Sequence, residues 1–321
     1  MKFKPILAFI FAAVSVCYAE KFAYIGCQKL SQGNSAILGG AKNTASEISK
    51  SSNSDFRVEL CGLPDSPAAQ IAALDSAFLR GFSGAIIAPA ASDAALYKRI
   101  DYLQKRGFSV AVVGSGLDSA AVVGVATDAA KTARAVENAL SRLGAKTEIF
   151  CYFKGSSGAH AAHRSLPPSE LLHGKLSSAD FERIFSPRPY SLVECSFYGV
   201  YAAENAESIT RRDDYCEIFF SPELLSDMAP IKPDRDRVFA LCIGALPHLE
   251  YYLQSGQIDC CIYDDFYGWG VYAVRSLIAV RRFDASAKSL RLPPPERKFV
   301  APVVVGKKNW REFSRDWNSW Q

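Results

Sequence analysis

The chain has 321 residues, 49% of them apolar, and 37 Lys and Arg against 33 Asp and Glu give a net charge of +4. That is too long for a disulfide-stapled miniprotein and too apolar for a disordered chain, and the length suits about two domains. No dense basic stripe is present, which argues against nucleic acid as a partner.

Met1-Lys2-Phe3-Lys4 is a short basic start, residues 5–16 are almost purely apolar, and Cys17-Tyr18-Ala19 is a small-x-small end. This pattern is that of a cleavable signal peptide, residues 1–19, with cleavage after Ala19. The apolar run is too short for a membrane span, which needs about 20 residues. Lipidation at Cys17 wants a small residue before it, and Val16 stands there. The mature chain is therefore expected to be soluble and exported. Loss of Lys2 and Lys4 takes two charges from the net +4.

Cys17 leaves with the signal, and the remaining cysteines are even in number. Export permits disulfides. Cys27 and Cys61 both end predicted strands and form the candidate bridge, with Cys151 and Cys195 in similar places later. The alternative is that they are buried small hydrophobes. Cys260 and Cys261 are adjacent, so they point to opposite faces of a strand, and no CxxC pair exists.

Residues 22–26 form a short apolar strand, and 34–49 have helical spacing. Residues 56–60 alternate as a strand, and 67–79 form a helix with Ile71, Leu74 and Phe78 on one face. Residues 84–89 are apolar throughout, as in a parallel strand buried on both faces. Ser92 or Asp93 caps a helix over 94–106. Strands at 109–113 and 122–126 follow, and Asp128 starts a helix over 129–143. The second half repeats the rhythm. Strands are expected at 148–153, 191–197, 217–220, 238–243 and 258–263. Helices are expected at 168–185, 202–210, 246–255 and 267–280, with a shorter one at 224–228. Repeated β-α-β units imply an α/β fold with right-handed crossovers, and so many strands suit two parallel sheets. Pro293-Pro294-Pro295 reads as a stiff connection, and the aromatic tail 310–320 as a segment packed on the surface.

Five stretches, in order, resemble the type I periplasmic binding proteins, the ribose-binding-protein-like group. They are 81–93 (GFSGAIIAPAASD), 107–119 (GFSVAVVGSGLDS), 125–128 (VATD), 155–164 (GSSGAHAAHR) and 256–270 (GQIDCCIYDDFYGWG). The resemblance implies two doubly wound lobes joined by a three-strand hinge. It places the N-terminal lobe at 20–127 plus 265–297 and the C-terminal lobe at 128–264 plus 298–321. A small polar ligand, a sugar or sugar derivative, is then held in the cleft between them. The implied partner is an ABC-transporter permease or a membrane sensor. The implied protein is a periplasmic monomer with no cofactor and no enzymatic activity.

The family's ligand positions map here onto Gln28, Ser31 and Asn34 after the first strand, Ser115 after the fourth, and His163 with Arg164 at the second lobe's first helix. Ser221 and Asp264 follow at later strand ends. Several departures stand out. Gly33 and Asn34 occupy places where the family carries rings, and Gly114 stands where it often has an Asp. Asp264 is read as either a ligand contact or a hinge residue in solvent. Of Tyr263, Phe266, Tyr267 and Trp269, packing is the ordinary role, though one could line the cleft. His160 and His163 lack the third ligand and spacing that zinc needs. Gly155-Ser156-Ser157-Gly158-Ala159 misses the nucleophile elbow by its last residue, leaving hydrolysis by His163 and a serine as the remote alternative.

Overall fold

The computed structural model describes residues 19–30, 33–52, 54–114, 123–144, 146–154, 176–195, 215–220, 224–225, 238–244, 249–286 and 296–313. The first half lays down β1 (Glu20–Ile25), α1 (Gly33–Ser52), β2 (Phe56–Gly62), α2 (Pro67–Leu79), β3 (Gly84–Ile87), α3 (Ala94–Gln104), β4 (Ser109–Val113), β5 (Val123–Thr127) and α4 (Ala129–Leu140). The second half adds β6 (Glu148–Lys154), α5 (Ser178–Phe185), β7 (Tyr190–Cys195), β8 (Tyr215–Phe219), β9 (Val238–Ile243), α6 (Glu250–Ser255), β10 (Cys260–Tyr263), α7 (Phe266–Ser286), β11 (Glu296–Val300) and β12 (Val303–Gly306).

Two six-stranded sheets result, in the orders β11-β5-β4-β3-β1-β2 and β12-β10-β9-β8-β6-β7. The two orders are the same doubly wound pattern used twice, as the β-α-β rhythm implies. All described pairings are parallel except β10 with β12. The sequence reading stops its strands at 263, yet β11 and β12 close one edge of each sheet. Their β-forming residues, Lys298-Phe299-Val300 and Val303-Val304-Val305, each follow a proline, Pro295 and Pro302, and Pro is tolerated on edge strands. All five residues of β11 pair with β5 of the first sheet, so the boundary expected at 297/298 falls inside that strand.

Each sheet is buried on both faces. In the first, Phe22, Tyr24, Ile86 and Ala111 pack under α1 and α7, while Ala23, Ile25, Ile87 and Val110 pack under α2 and α3. The second sheet buries Cys151, Cys216 and Leu241 against α4 and α5, and Tyr152, Phe219 and Cys261 on its other face. Trp310 is 2% exposed and belongs to that last core, donating its indole N–H to Glu250 at 3.0 Å. The start of the expected surface tail is thus interior. Between the two cap candidates, the structure selects Asp93, whose carboxylate accepts the Leu96 N–H at 2.8 Å; Asp128 caps α4 in the same way at 3.1 Å. The expected helix 202–210 lies outside the described residues, as do residues 226–228 of the short one. Among the described residues no helix is long and apolar enough to cross a membrane.

The Cys27–Cys61 bridge is corrected: both thiols are free. Cys27 packs on the α1/α7 face of the first sheet and Cys61 against the α2/α3 face, so the sheet itself separates them. Cys151 is also free, and Cys195 pairs in register with Lys154, three positions beyond it. At about 3.3 Å per residue that offset is about 10 Å, past the reach of a disulfide.

Candidate functional site

In doubly wound sheets, ligands bind outside the carboxyl ends of the strands, where the strand order reverses. In the first sheet the reversal falls between β1 and β3. There the chain must part in two directions, and the exposed ends of both strands need hydrogen-bond partners. Gln70 of α2 supplies them. It is fully buried, donates through Nε2 to the carbonyls of Gly26 (3.1 Å) and Ala88 (2.7 Å), and accepts the Ala90 N–H at 2.9 Å. Asn34 does the same for the turn after β1. Its amide accepts from the Cys27 N–H (3.2 Å) and the Tyr24 hydroxyl (2.9 Å) and donates to the Cys27 carbonyl (2.8 Å).

Of the sequence-expected ligand residues, Gln28 sits in a short 3-10 turn, Gln28–Leu30, and is exposed. Asn34 is 5% exposed, with its amide turned inward. The structure thus places it as a brace of the rim, reaching the site through the loop it holds. Asp264 follows β10, is half-buried, and its carboxylate has no hydrogen-bond or ion-pair partner among the described residues. Its carbonyl accepts the Phe266 N–H at 2.8 Å. Ser31, Ser115, His163, Arg164 and Ser221 lie outside the described residues.

Sequence reasoning missed Gln70; for Phe266 and Trp269 it gives packing as the ordinary role and leaves open that one ring of the group lines the cleft. Asp265 caps α7, accepting the Gly268 N–H at 2.8 Å. Burial raises its pKa, and the Gly268 bond offsets part of that rise. This cap turns the chain from the end of β10 in the second sheet straight into a helix of the first. Phe266, the first residue of α7, touches cores on both sides: the α1/α7 core of the first sheet and the Tyr263–Phe313 core of the second. Its ring meets Trp269 edge-to-face, with centroids 5.0 Å apart. Trp269 is 4% exposed, and its indole N–H meets no acceptor among the described residues.

Gly114, at the end of β4, has a φ of +86°, and a Cβ there would stand 3.3 Å from the Trp269 ring. A Cβ on Gly33 would stand 3.2 Å from the Phe266 ring. Gly33 and Gly114 are therefore each covered by an aromatic ring from α7. A groove of about 400 Å³ between α1 and β2, lined by Lys42, Asp55, Arg57 and Glu59 among others, lies at the β2 edge, among none of these rim residues.

If Gln70 holds the switch point open in this shape, removing its amide leaves two buried carbonyls and one buried N–H without partners. Each such loss costs about 1 kcal/mol or more. Gln70→Ala is expected to lower stability by about 3 kcal/mol in urea unfolding, with the m-value unchanged. A midpoint equal to that of the parent chain would remove this role.

The architecture is that of the type I periplasmic binding protein fold. The chain is similar over 92% of its length to the whole of a sugar-binding protein of a sugar ABC transporter from Bacillus halodurans (TM-score 0.69, 15% identity). It is similar over 94% of its length to 97% of a periplasmic ribose ABC transporter protein from Conexibacter woesei (TM-score 0.65, 14% identity). It is also similar, over 90% of its length, to 98% of a chain in the XylFII–LytSN complex (TM-score 0.58, 15% identity). No protein-family model and no curated protein matches the chain.

Proposed function

We propose that this is an exported solute-binding protein. It captures a small hydroxylated ligand of the sugar class between the facing strand ends of its two lobes, for an ABC importer. The observation that carries the reading is the doubly wound sheet used twice, with a braced rim at the first switch point and the α7 turn linking the two sheets. Polar groups such as Asp264 and Gln28 suit sugar hydroxyls, and aromatic faces suit the apolar C–H face of a sugar ring. The full-length likeness to sugar-binding folds supports the class of ligand. The basic-apolar start of the sequence supports export to the periplasm. Binding without chemical conversion is the role such a cleft fills, and closure on the ligand is what a membrane partner reads.

Thermal unfolding in D-ribose, L-arabinose, D-xylose, D-galactose, sorbitol and D-gluconate tests this. At a hundredfold excess over the dissociation constant, a ligand adds about 2.7 kcal/mol. For a chain of this size that is a rise of roughly 4 °C in Tm. No rise with any sugar, polyol or sugar acid at millimolar concentration would falsify the reading. A second reading makes the protein a ligand sensor that presents its closed form to a membrane receptor. It is favoured by the similar fold solved together with LytSN. Deleting the gene separates the two: loss of labelled-sugar uptake supports the importer, and intact uptake with a lost transcriptional response supports the sensor.

A further inference from the structure

The structure assigns the aromatic platform of the cleft to Phe266, carried by the first turn of α7 and not by the loop after β1. The ligand it suits is an uncharged sugar that presents a C–H face to this ring. The inference rests on the sugar-binding reading above and adds the residue that selects within the class.

Four observations lead there. First, Phe266 is placed where the two rims meet: it follows the carboxyl end of β10 in the second sheet and covers Gly33 at the carboxyl-end side of the first. It packs on a core from each sheet, as a residue between the lobes must. Second, it is only half-buried, whereas its neighbour Trp269 is fully interior. The residue is therefore not sealed in either core, which is what a platform for a molecule in the cleft requires. Third, the ring is held in place. The Asp265 cap sets the backbone of the first turn, Trp269 supports the ring edge-to-face, and Gly33 lets it approach α1 closely. A rigid aromatic surface loses little entropy on binding. Fourth, Gly33 and Gly114 withdraw side chains from two rim positions that face α7, and among the described residues the nearest atoms there belong to rings of α7.

Asp264 stands two residues away with a carboxylate that has no partner among the described residues. An acceptor next to an aromatic face is the pair a sugar ring needs: a hydroxyl for the carboxylate and C–H groups for the ring. A carboxylate beside the platform also disfavours an anionic sugar acid, by like-charge repulsion.

The test is calorimetric titration with D-ribose, L-arabinose and D-galactose, each taken singly, on the full mature chain and three variants. Phe266→Tyr keeps the ring and is expected to bind within about threefold of the parent. Phe266→Leu keeps apolar bulk without the aromatic face and is expected to bind at least tenfold more weakly. Gly33→Ala presses a Cβ on the ring and is expected to weaken binding about threefold. Alanine is better than glycine in a helix and the 3.2 Å contact asks the ring to give by only a few tenths of an ångström, so the Tm of that variant should stay within about 3 °C of the parent. It therefore reports on the platform even if Phe266→Leu folds poorly. A purely structural role predicts that affinity follows Tm and does not follow aromaticity. Parent-like binding by Phe266→Leu or by Gly33→Ala overturns the platform while leaving the sugar-binding reading intact. Failure of the parent chain to bind any of the three sugars, with no Tm shift in the wider panel, overturns both. Tighter binding of D-gluconate than of D-galactose overturns the preference for an uncharged sugar.

Discussion

Gly270→Val is expected to abolish the soluble folded protein, or to leave it several kcal/mol less stable than the parent. A Cβ at Gly270 would run into the Ile37 carbonyl of α1 and stand 2.9 Å from the Ala41 nitrogen. These are backbone atoms inside a helix, and they cannot rotate away as a side-chain tip would. Gly40 on α1 has the reciprocal relation, since a Cβ there would run into the Tyr267 carbonyl of α7. The two helices therefore touch backbone to backbone, and together they roof one face of the first sheet, over Phe22, Tyr24, Ile86 and Ala111. Ordinary overpacking of a core costs about 1–3 kcal/mol, where side chains can shift. Here the whole helix must move, and α7 also carries Phe266 and Trp269 against the rim. With about 5–15 kcal/mol of total stability in a typical domain, a loss of that size empties the folded state. Expression yield and the urea midpoint measure it. Gly306→Ala is the control: a Cβ there makes ordinary contact, 3.4 Å from the Asp259 carbonyl, and Tm should stay within about 3 °C. A Gly270→Val protein as stable as the control would mean that α1 and α7 do not meet through these glycines.

Why these glycines were invisible as a helix contact says what a sequence can carry. The strands at 22–26, 84–89 and 109–113 were legible because burial on both faces leaves an unbroken apolar run. Asp93 and Asp128 were legible because capping is a local rule, satisfied three residues away. Gln70 acts on Gly26, 44 residues back, and on Ala88, 18 residues ahead. No periodicity marks a buried amide that serves distant strand ends. Asn34 matches a ligand position of the family that the sequence resembles. The Tyr24 hydroxyl and the Cys27 backbone claim its side chain, and that follows from the fold of the turn. The cysteines failed for a related reason. Cys61 takes the α2/α3 face that alternation from Val58 gives it, but Cys27 lies past the end of β1, and the turn there carries it to the opposite face. Among Tyr263, Phe266, Tyr267 and Trp269 the sequence does not say which ring could line the cleft, and Gly33 opposite Phe266 becomes visible only in the fold.

Raising the pH through about 10 should unfold the protein steeply and reversibly in the presence of a reductant. Four thiols on the strands of the second sheet have raised pKa values in the folded chain. Burial raises those of Cys151 and Cys216, the latter also facing Cys151 and Glu217. The hydrogen bond to Cys242 and then burial raise that of Cys261, which pairs in register with Cys242 across β9 and β10. Burial pushes Cys260 up to about 12, against the opposing pull of Arg142. In the unfolded chain a thiol titrates near 8.5–9. Below that pH both states hold the proton and stability is complete. Above it the unfolded chain loses protons that the folded chain keeps, so the unfolded state gains. Each proton contributes about 1.4 kcal/mol per pH unit, and four give roughly 5 kcal/mol per unit between about pH 9 and 12. The phenol of Tyr24, raised by burial and by Cys27, adds to the slope above pH 10, as does Tyr215, pushed up to about 12 by burial and by Glu217. A loss of this size in one pH unit rivals the whole stability of a domain. Circular dichroism across pH 7–12 should show one cooperative transition, with urea midpoints falling from pH 9 onward. Cys216→Ala should begin less stable at pH 7 yet fall with a slope about one quarter shallower between about pH 9 and 10, before the phenols contribute, because one of the four protons no longer distinguishes the two states. A native spectrum persisting at pH 11.5 would show that these thiols ionise inside the fold without penalty, and a slope unchanged by Cys216→Ala would remove this thiol from the account.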